Sequence, residues 1–227
     1  MNNRSFEILP AIMPNSAEHL DTEAQRVSAF ALTVQIDVMD GKFVPPISWP
    51  YGSGQMKELE RVDMIPSAAQ FFYEAHLMVQ DPTDMGVMLA RRGVRRIIGH
   101  VEAMGHSNDA LRILNTWRAE GAEVGVSLLL GTPLAEITAT IAYVDVVQVM
   151  SIAEIGYQGH AFDSRAIERV AQLRALYPDL VIAVDGGVSV ANARALVEAG
   201  ANRLGVGSAI MKAEDPEVAY RAIIETI

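Results

Sequence analysis

"LVIAVDGGVSVANARALVEAGANRLGVGSAI", Leu180 to Ile210, holds one complete unit of the pattern that decides the fold. Leu180–Val188 is an apolar, β-branched run and reads as a strand. Ser189 is a capping residue, "VANARALVEAG" has helical spacing, and Gly200 closes it. Asn202–Ile210 then reads as a second strand. Strands that are apolar almost throughout, separated by an amphipathic helix, belong to a parallel sheet covered by helices.

The same alternation extends in both directions. Downstream, Asp215-Pro216 opens a last helix. Upstream, strands are expected at Phe6–Ile12, Leu32–Val38, Phe71–Val79, Arg95–Glu102, Glu123–Leu130 and Val144–Ile152. A helix capped by Asn15 or Ser16 runs to about Phe30. Asp81-Pro82 opens another, Ser107 or Asn108 starts one that Gly121 ends, Thr132-Pro133 starts a further one, and another spans Ser164–Tyr177. A long loop with Gly, Pro and Trp follows the second strand, from Met39 to about Gly54. Eight strand–helix units in 227 residues predict an α/β fold, a (β/α)8 TIM barrel, rather than an open doubly wound sheet. No linker or low-complexity segment interrupts it, so residues 1–227 are expected to form a single barrel domain.

Composition narrows the function. The chain is 50% hydrophobic, carries a formal charge of −10 and has no cysteine. The charge, with no Lys/Arg cluster to offset it, argues against nucleic acid. The absence of thiols excludes disulfides and thiolate chemistry. "MNNRSFEILPAIMPN" lacks a signal-peptide h-region, and no apolar run is long enough to span a bilayer. The expectation is a cytoplasmic protein with no membrane partner that forms a homo-oligomer.

Polar residues interrupt the apolar strands where a barrel keeps its chemistry, at the strand C-terminal ends. They are Asp37, His76, His100, Glu102 and Asp185. One such residue commonly serves a loop cap, but several converging on one mouth suggest a site. Paired carboxylates from distant segments, Asp37 and Asp185, suit removal and return of a proton. Strand seven ends in Gly186-Gly187 and strand eight in Gly207-Ser208, adjacent ends where backbone N–H groups can approach a phosphate. "GYQGH", Gly156–His160, closes a third side.

The segments "ILPAIMPNSAEHL", "IDVMDGKFVPP", "AHLMVQDP", "HVEA", "GTPL", "VDVVQVMS", "IAVDGGVSVANARALVEAGA" and "GVGSAI" give the chain, over its whole length, a resemblance to the ribulose-phosphate 3-epimerase family. The resemblance implies an isomerase of carbohydrate metabolism that inverts the carbon beside a ketone on a pentose-type ketose phosphate. Asp37 and Asp185 would be the acid/base pair acting through an enediolate. Asp37, His76 and Asp185 would also hold a divalent metal (Zn, Mn or Fe), and no nucleotide cofactor is needed. Met39, Met78 and Met150 would pack about the intermediate, a placement that ordinary strand-end packing also explains. A small phosphorylated sugar would place its phosphate on Gly156, Gly159, Gly186, Gly187, Gly207 and Ser208.

The chain departs from the family pattern at several of these positions. Gln35 stands where the fourth metal ligand is a histidine, and its neutral oxygen is a poor donor for zinc, so weaker metal binding is expected. Ala11 replaces a serine, Lys42 replaces a histidine, and Gln158 replaces a glycine in a loop one residue longer than usual. Two other readings stand beside the epimerase. One is decarboxylase or aldolase chemistry on the same barrel, for which the Asp-x-Lys-x-x-Asp spacing is missing. The other is a non-catalytic sugar-phosphate binder, against which the two retained aspartates weigh.

Overall fold

The computed structural model describes residues 6–227; residues 1–5, the start of "MNNRSFEILPAIMPN", lie outside them. Strands β1 (Glu7–Ile12), β2 (Thr33–Met39), β3 (Phe72–Met78), β4 (Arg96–His100), β5 (Glu123–Leu128), β6 (Val146–Met150), β7 (Ile182–Asp185) and β8 (Arg203–Val206) pair in parallel, each with the next. β8 pairs back onto β1, closing the barrel. The helices are α1 (Ala17–Val27), α2 (Gln55–Arg61), α3 (Thr83–Ala90), α4 (Ser107–Ala119), α5 (Arg165–Leu176), α6 (Ala193–Ala199), α7 (Ser208–Met211) and α8 (Pro216–Thr226). Ser16 caps α1 by accepting from the His19 N–H, and Asp215 caps α8 by accepting from the Glu217 and Val218 N–H groups. Among the described residues no helix is long and apolar enough to cross a membrane.

Several local expectations are corrected. No α-helix follows Thr132-Pro133; the chain makes only 3-10 turns at Leu134–Ile137 and Ile141–Tyr143. Pro133 keeps an extended ψ of 140°, and the Thr140 hydroxyl donates to the Ile137 carbonyl, so local bonding competes with helix. Ser189 does not cap α6 directly. Asn192 accepts from the Ser189 N–H and donates to the Gly187 carbonyl, making a turn before the helix begins at Ala193. α2 was not expected; it starts from Gly54 in the left-handed region with no side-chain cap. β7 stops at Asp185 because Gly186 and Gly187 turn to φ of 111° and 65°.

Alternation within the strands separates two environments. Ile36, Val38, Leu77, Val147 and Val149 pack outward with helix residues such as Leu20, Trp117 and Leu196 in one apolar layer. The inner side carries buried polar residues, including Gln35, Asp37, Glu74, His76, His100, Asp185 and Arg203. A small apolar plug of Ile98, Val146 and Ala183 lies among them. Towards the N-terminal ends of the strands, Glu74 lies 2.8 Å from Arg96 and 3.0 Å from Arg203. Burial nevertheless pushes the Glu74 carboxyl up to about 7, outweighing the guanidinium of Arg96.

Candidate active site

The register of β2 on β3 sets Asp37 opposite His76, and closure of the barrel brings Asp185 in from β7. The loop after β2 folds back to brace the strand end that carries Asp37. The Ser48 hydroxyl accepts from the Met39 N–H at 2.9 Å and donates to the Asp37 carbonyl at 2.8 Å. Asp40, next along, accepts from the Lys42, Phe43 and Gln80 N–H groups and so shapes the loop rather than entering the site.

His76 Nδ1 lies 3.3 Å from Asp37 Oδ1 and 3.1 Å from Asp185 Oδ2. The Gln35 side-chain amide donates to the same two atoms, at 2.9 and 3.1 Å. Two carboxylates therefore share an imidazole and an amide. Burial raises the Asp37 carboxyl, and the negative charge of Asp185 acts in the same direction. Burial opposes charge on His76, but hydrogen bonds to Asp185 and Asp37 prevail and push the imidazole up to about 9. Gly205 leaves room for this arrangement: a Cβ there would stand 3.2 Å from both Asp185 Oδ1 and Gln35 Oε1.

A second string of groups runs outward from His76. Its Nε2 lies 2.9 Å from His100 Nε2, and His100 Nδ1 lies 3.2 Å from Glu102 Oε2. Burial lowers His100 to about 4. Burial would raise Glu102, yet bonds from His100, the Leu129 N–H and the Thr132 hydroxyl hold it down at about 2.

Asp37 and Asp185 face a narrow cavity at the C-terminal mouth, and Met78 and Met150 line it beside them. Gly156, Gly159, Gly186, Gly187, Gly207 and Ser208 form its other walls. His76, fully buried, backs the aspartates. Met39 is not on the cavity wall; it packs behind, in one cluster with Met78 and Met150. Lys42 is exposed on the loop and lines no part of the cavity. Gln158 does line it: its amide donates to the Ala11 carbonyl at 3.0 Å and lies over Gly207.

The donor set suits a divalent cation. One ligand atom each from Asp37, His76 and Asp185 lie within 4.8 Å of one another, all from buried residues. Gln35 presents its amide nitrogen here, so it would have to turn its oxygen inward to serve as a fourth ligand. Two carboxylate oxygens, one imidazole and one amide oxygen form a harder set than a site with two imidazoles.

Fold and site together define a (β/α)8-barrel protein with a carboxylate–imidazole cluster facing a glycine-walled cavity. The model of the ribulose-phosphate 3 epimerase family matches residues 7–211. The chain belongs to this family, whose named members are isomerases of carbohydrate phosphates. It is 30% identical to the cytoplasmic isoform of ribulose-phosphate 3-epimerase from Oryza sativa subsp. japonica, over 97% of this chain and 94% of that one. It is 33% identical to the ribulose-phosphate 3-epimerase of Aquifex aeolicus, over 82% and 81%. Among solved structures, a 3-hexulose-6-phosphate synthase superposes with a TM-score of 0.71 at 18% identity, covering 98% of this chain and 100% of that one. KGPDC from Streptococcus mutans superposes with a TM-score of 0.70 at 14% identity, covering 98% and 97%. These two likenesses show the barrel.

Proposed function

We propose that this barrel, acting as one domain, epimerises a ketose phosphate at C3, with ribulose 5-phosphate the first candidate. The observation that carries the reading is the pair Asp37 and Asp185, from β2 and β7, both lining one cavity and both bonded to His76. Family membership supports the reaction class. In this reading one aspartate removes the C3 proton and the other delivers a proton to the opposite face of the planar enediolate. Turnover needs one carboxylate and one carboxylic acid at the start. Burial raises the Asp37 carboxyl, which favours its protonated form and suits it to the acid role. Reversal of the reaction exchanges the two roles.

Negative charge develops on the enediolate beside two carboxylates and must be offset. A divalent cation held by Asp37, His76 and Asp185 would supply Lewis-acid stabilisation of that charge. The sugar phosphate would rest on the backbone at Gly186, Gly187, Gly207 and Ser208, with Gly156 and Gly159 opposite. Met78 and Met150 exclude water from the reacting face, with Met39 supporting them from behind.

The direct test is to follow ribulose 5-phosphate by NMR, with zinc, manganese or iron(II) added in separate runs. Appearance of the 3-epimer is expected. No turnover of any pentulose or hexulose phosphate under any of these conditions would sink the epimerase reading and leave a sugar-phosphate binder.

A further inference from the structure

We propose that Gln158 is a specificity-determining residue: its side chain partitions the candidate active site from a neighbouring groove and so limits the site to ketose phosphates no longer than a pentulose. The role rests on the ketose-phosphate reading of the cavity, though not on turnover.

Gln158 stands in the loop between β6 and α5, and the loop is held on both sides of it. Ile155 is buried in the apolar cluster that contains Met78 and Met150. Gly156 lies so close to the loop after β2 that a Cβ there would stand 3.1 Å from Val44 Cβ. Beyond Gln158, the His160 carbonyl oxygen would stand 3.0 Å from a Cβ on Gly187. From this anchored base the side chain reaches past the ends of β7 and β8 to β1, where its amide donates to the Ala11 carbonyl at 3.0 Å. On the way it lies along Gly207. A Cβ on that glycine would stand 2.7 Å from Gln158 Nε2, 3.0 Å from Cδ and 3.2 Å from Cγ. The space beside Gly207 is therefore filled, with no room for even a methyl group.

The two faces of this side chain meet different surroundings. On the inner face are Asp37, Asp185 and the strand-end glycines. On the outer face is a groove between α1 and α7 that holds His19, Glu23, Arg26, Met211 and Lys212. Ala11, Met13 and Gln158 line both spaces and so form the wall between them. Arg26 is engaged, donating to Glu23 at 2.7 Å and to the Met211 carbonyl at 3.2 Å. Lys212 is exposed and makes no ion pair among the described residues. Arg26 and Lys212 against Glu23 leave the groove net positive, which favours an anionic group there.

The consequence is a limit on length. In the proposed reaction C3 lies between Asp37 and Asp185, which fixes one end of the sugar. The phosphate of a pentulose would then fall at the strand-end glycines, beneath Gln158. One more carbon would drive the phosphate into the space that the Gln158 amide fills. Without that amide the cavity and the groove join, and the phosphate of a longer chain passes towards Lys212.

The test uses two open-chain ligands that cannot react, ribitol 5-phosphate and glucitol 6-phosphate. Each is titrated calorimetrically into the intact protein with manganese added. Wild type should bind the five-carbon ligand at least about tenfold more tightly, the lower end of what one carbon achieves in a shaped pocket. In Gln158→Ala that preference should shrink by at least about tenfold, through tighter binding of the six-carbon ligand. The backbone of Gln158 is outside the positive-φ region, so alanine fits it. Gln158→Met keeps the bulk and should keep the preference. An equal loss for both ligands in Gln158→Ala overturns the proposal, because the amide would then be only a phosphate contact. An unchanged preference in Gln158→Ala, a Gln158→Met variant as permissive as Gln158→Ala, or a wild type with no preference overturns it too. A wild type that binds neither ligand removes the ketose-phosphate reading, and the partition's role with it. The expected preferences without turnover of ribulose 5-phosphate uphold the partition and remove only the epimerase chemistry.

Discussion

Replacing Gln35 probes the position where the resemblance leads one to expect a histidine ligand. The Gln35 amide donates to Asp37 at 2.9 Å and to Asp185 at 3.1 Å, both buried. Hydrogen bonds to charged groups contribute about 1.5–3 kcal/mol each, so Gln35→Leu should lower metal-free stability by roughly 3–6 kcal/mol. For a chain of this size, that loss lowers Tm by on the order of 10 °C or more. A cation bound between the carboxylates would take over the role of the amide, so saturating manganese should restore a large part of the loss. Gln35→His differs in both arms. Its neutral ring has one N–H and serves only one carboxylate, so metal-free stability should fall by about half as much. Its bare nitrogen adds a second imidazole donor and should tighten zinc by at least about tenfold, the lower end of what an outer-shell change alone achieves. The assays are thermal unfolding in chelator and in excess metal, with calorimetric zinc titration. Unchanged stability of Gln35→Leu in chelator, or zinc no tighter in Gln35→His, would refute the reasoning.

Other expectations test different parts of the molecule. Gly207 has a negative φ of −84°, and the atoms nearest a Cβ there belong to the Gln158 side chain, with Nε2 at 2.7 Å. Gly207→Ala should therefore cost about 1 kcal/mol in urea unfolding, the worth of the displaced Gln158 bond, while weakening inorganic phosphate binding. Gly187 has φ 65°, and a Cβ there would stand 2.9 Å from the Phe162 backbone nitrogen, so Gly187→Ala should cost more than Gly207→Ala; equal costs would contradict this. Glu74, pushed up from 4.5 to about 7, binds a proton more tightly folded than unfolded. Stability it contributes is full below about 4.5 and falls as pH rises towards 7, by about 3 kcal/mol in all. Glu74→Gln should thus gain stability relative to wild type between those pH values. A constant difference would mean that Arg96 and Arg203 hold the charged form.

The barrel was legible because its strands are largely apolar runs and several of the helices between them are marked by a capping residue or a closing glycine. The exceptions have local causes. Thr132-Pro133 looks like a helix start, but extended Pro133 and the back-bonded Thr140 divert the chain into 3-10 turns. The charged segment Gln55–Arg61 lacks a capping residue and gives little helical signal. In the candidate site, Asp37, His76 and Asp185 were marked by their chemistry as polar residues in apolar strands, and the structure brings their side chains together. The sequence marks Gln35 as a weak ligand; its bond to Asp185 depends on barrel closure, which no local pattern reveals. Gly205 carried a faint signal, a glycine inside an apolar strand, and its purpose is the space it leaves for Gln35 and Asp185. The bridge from His76 to Glu102 through His100 required the β3–β4 geometry, although all three residues stood out in the sequence.

The central claim is that Asp37 and Asp185 handle one proton from opposite faces of the sugar. Solvent deuterium incorporation into ribulose 5-phosphate, with wild type, Asp37→Asn and Asp185→Asn run separately with added divalent metal, tests it most directly. Wild type should incorporate deuterium at C3 as it inverts that carbon. Each variant should lose net inversion, and at least one should still exchange the proton on the face its remaining aspartate serves. Inversion that survives in either variant, or a wild type that incorporates no deuterium, would contradict the account.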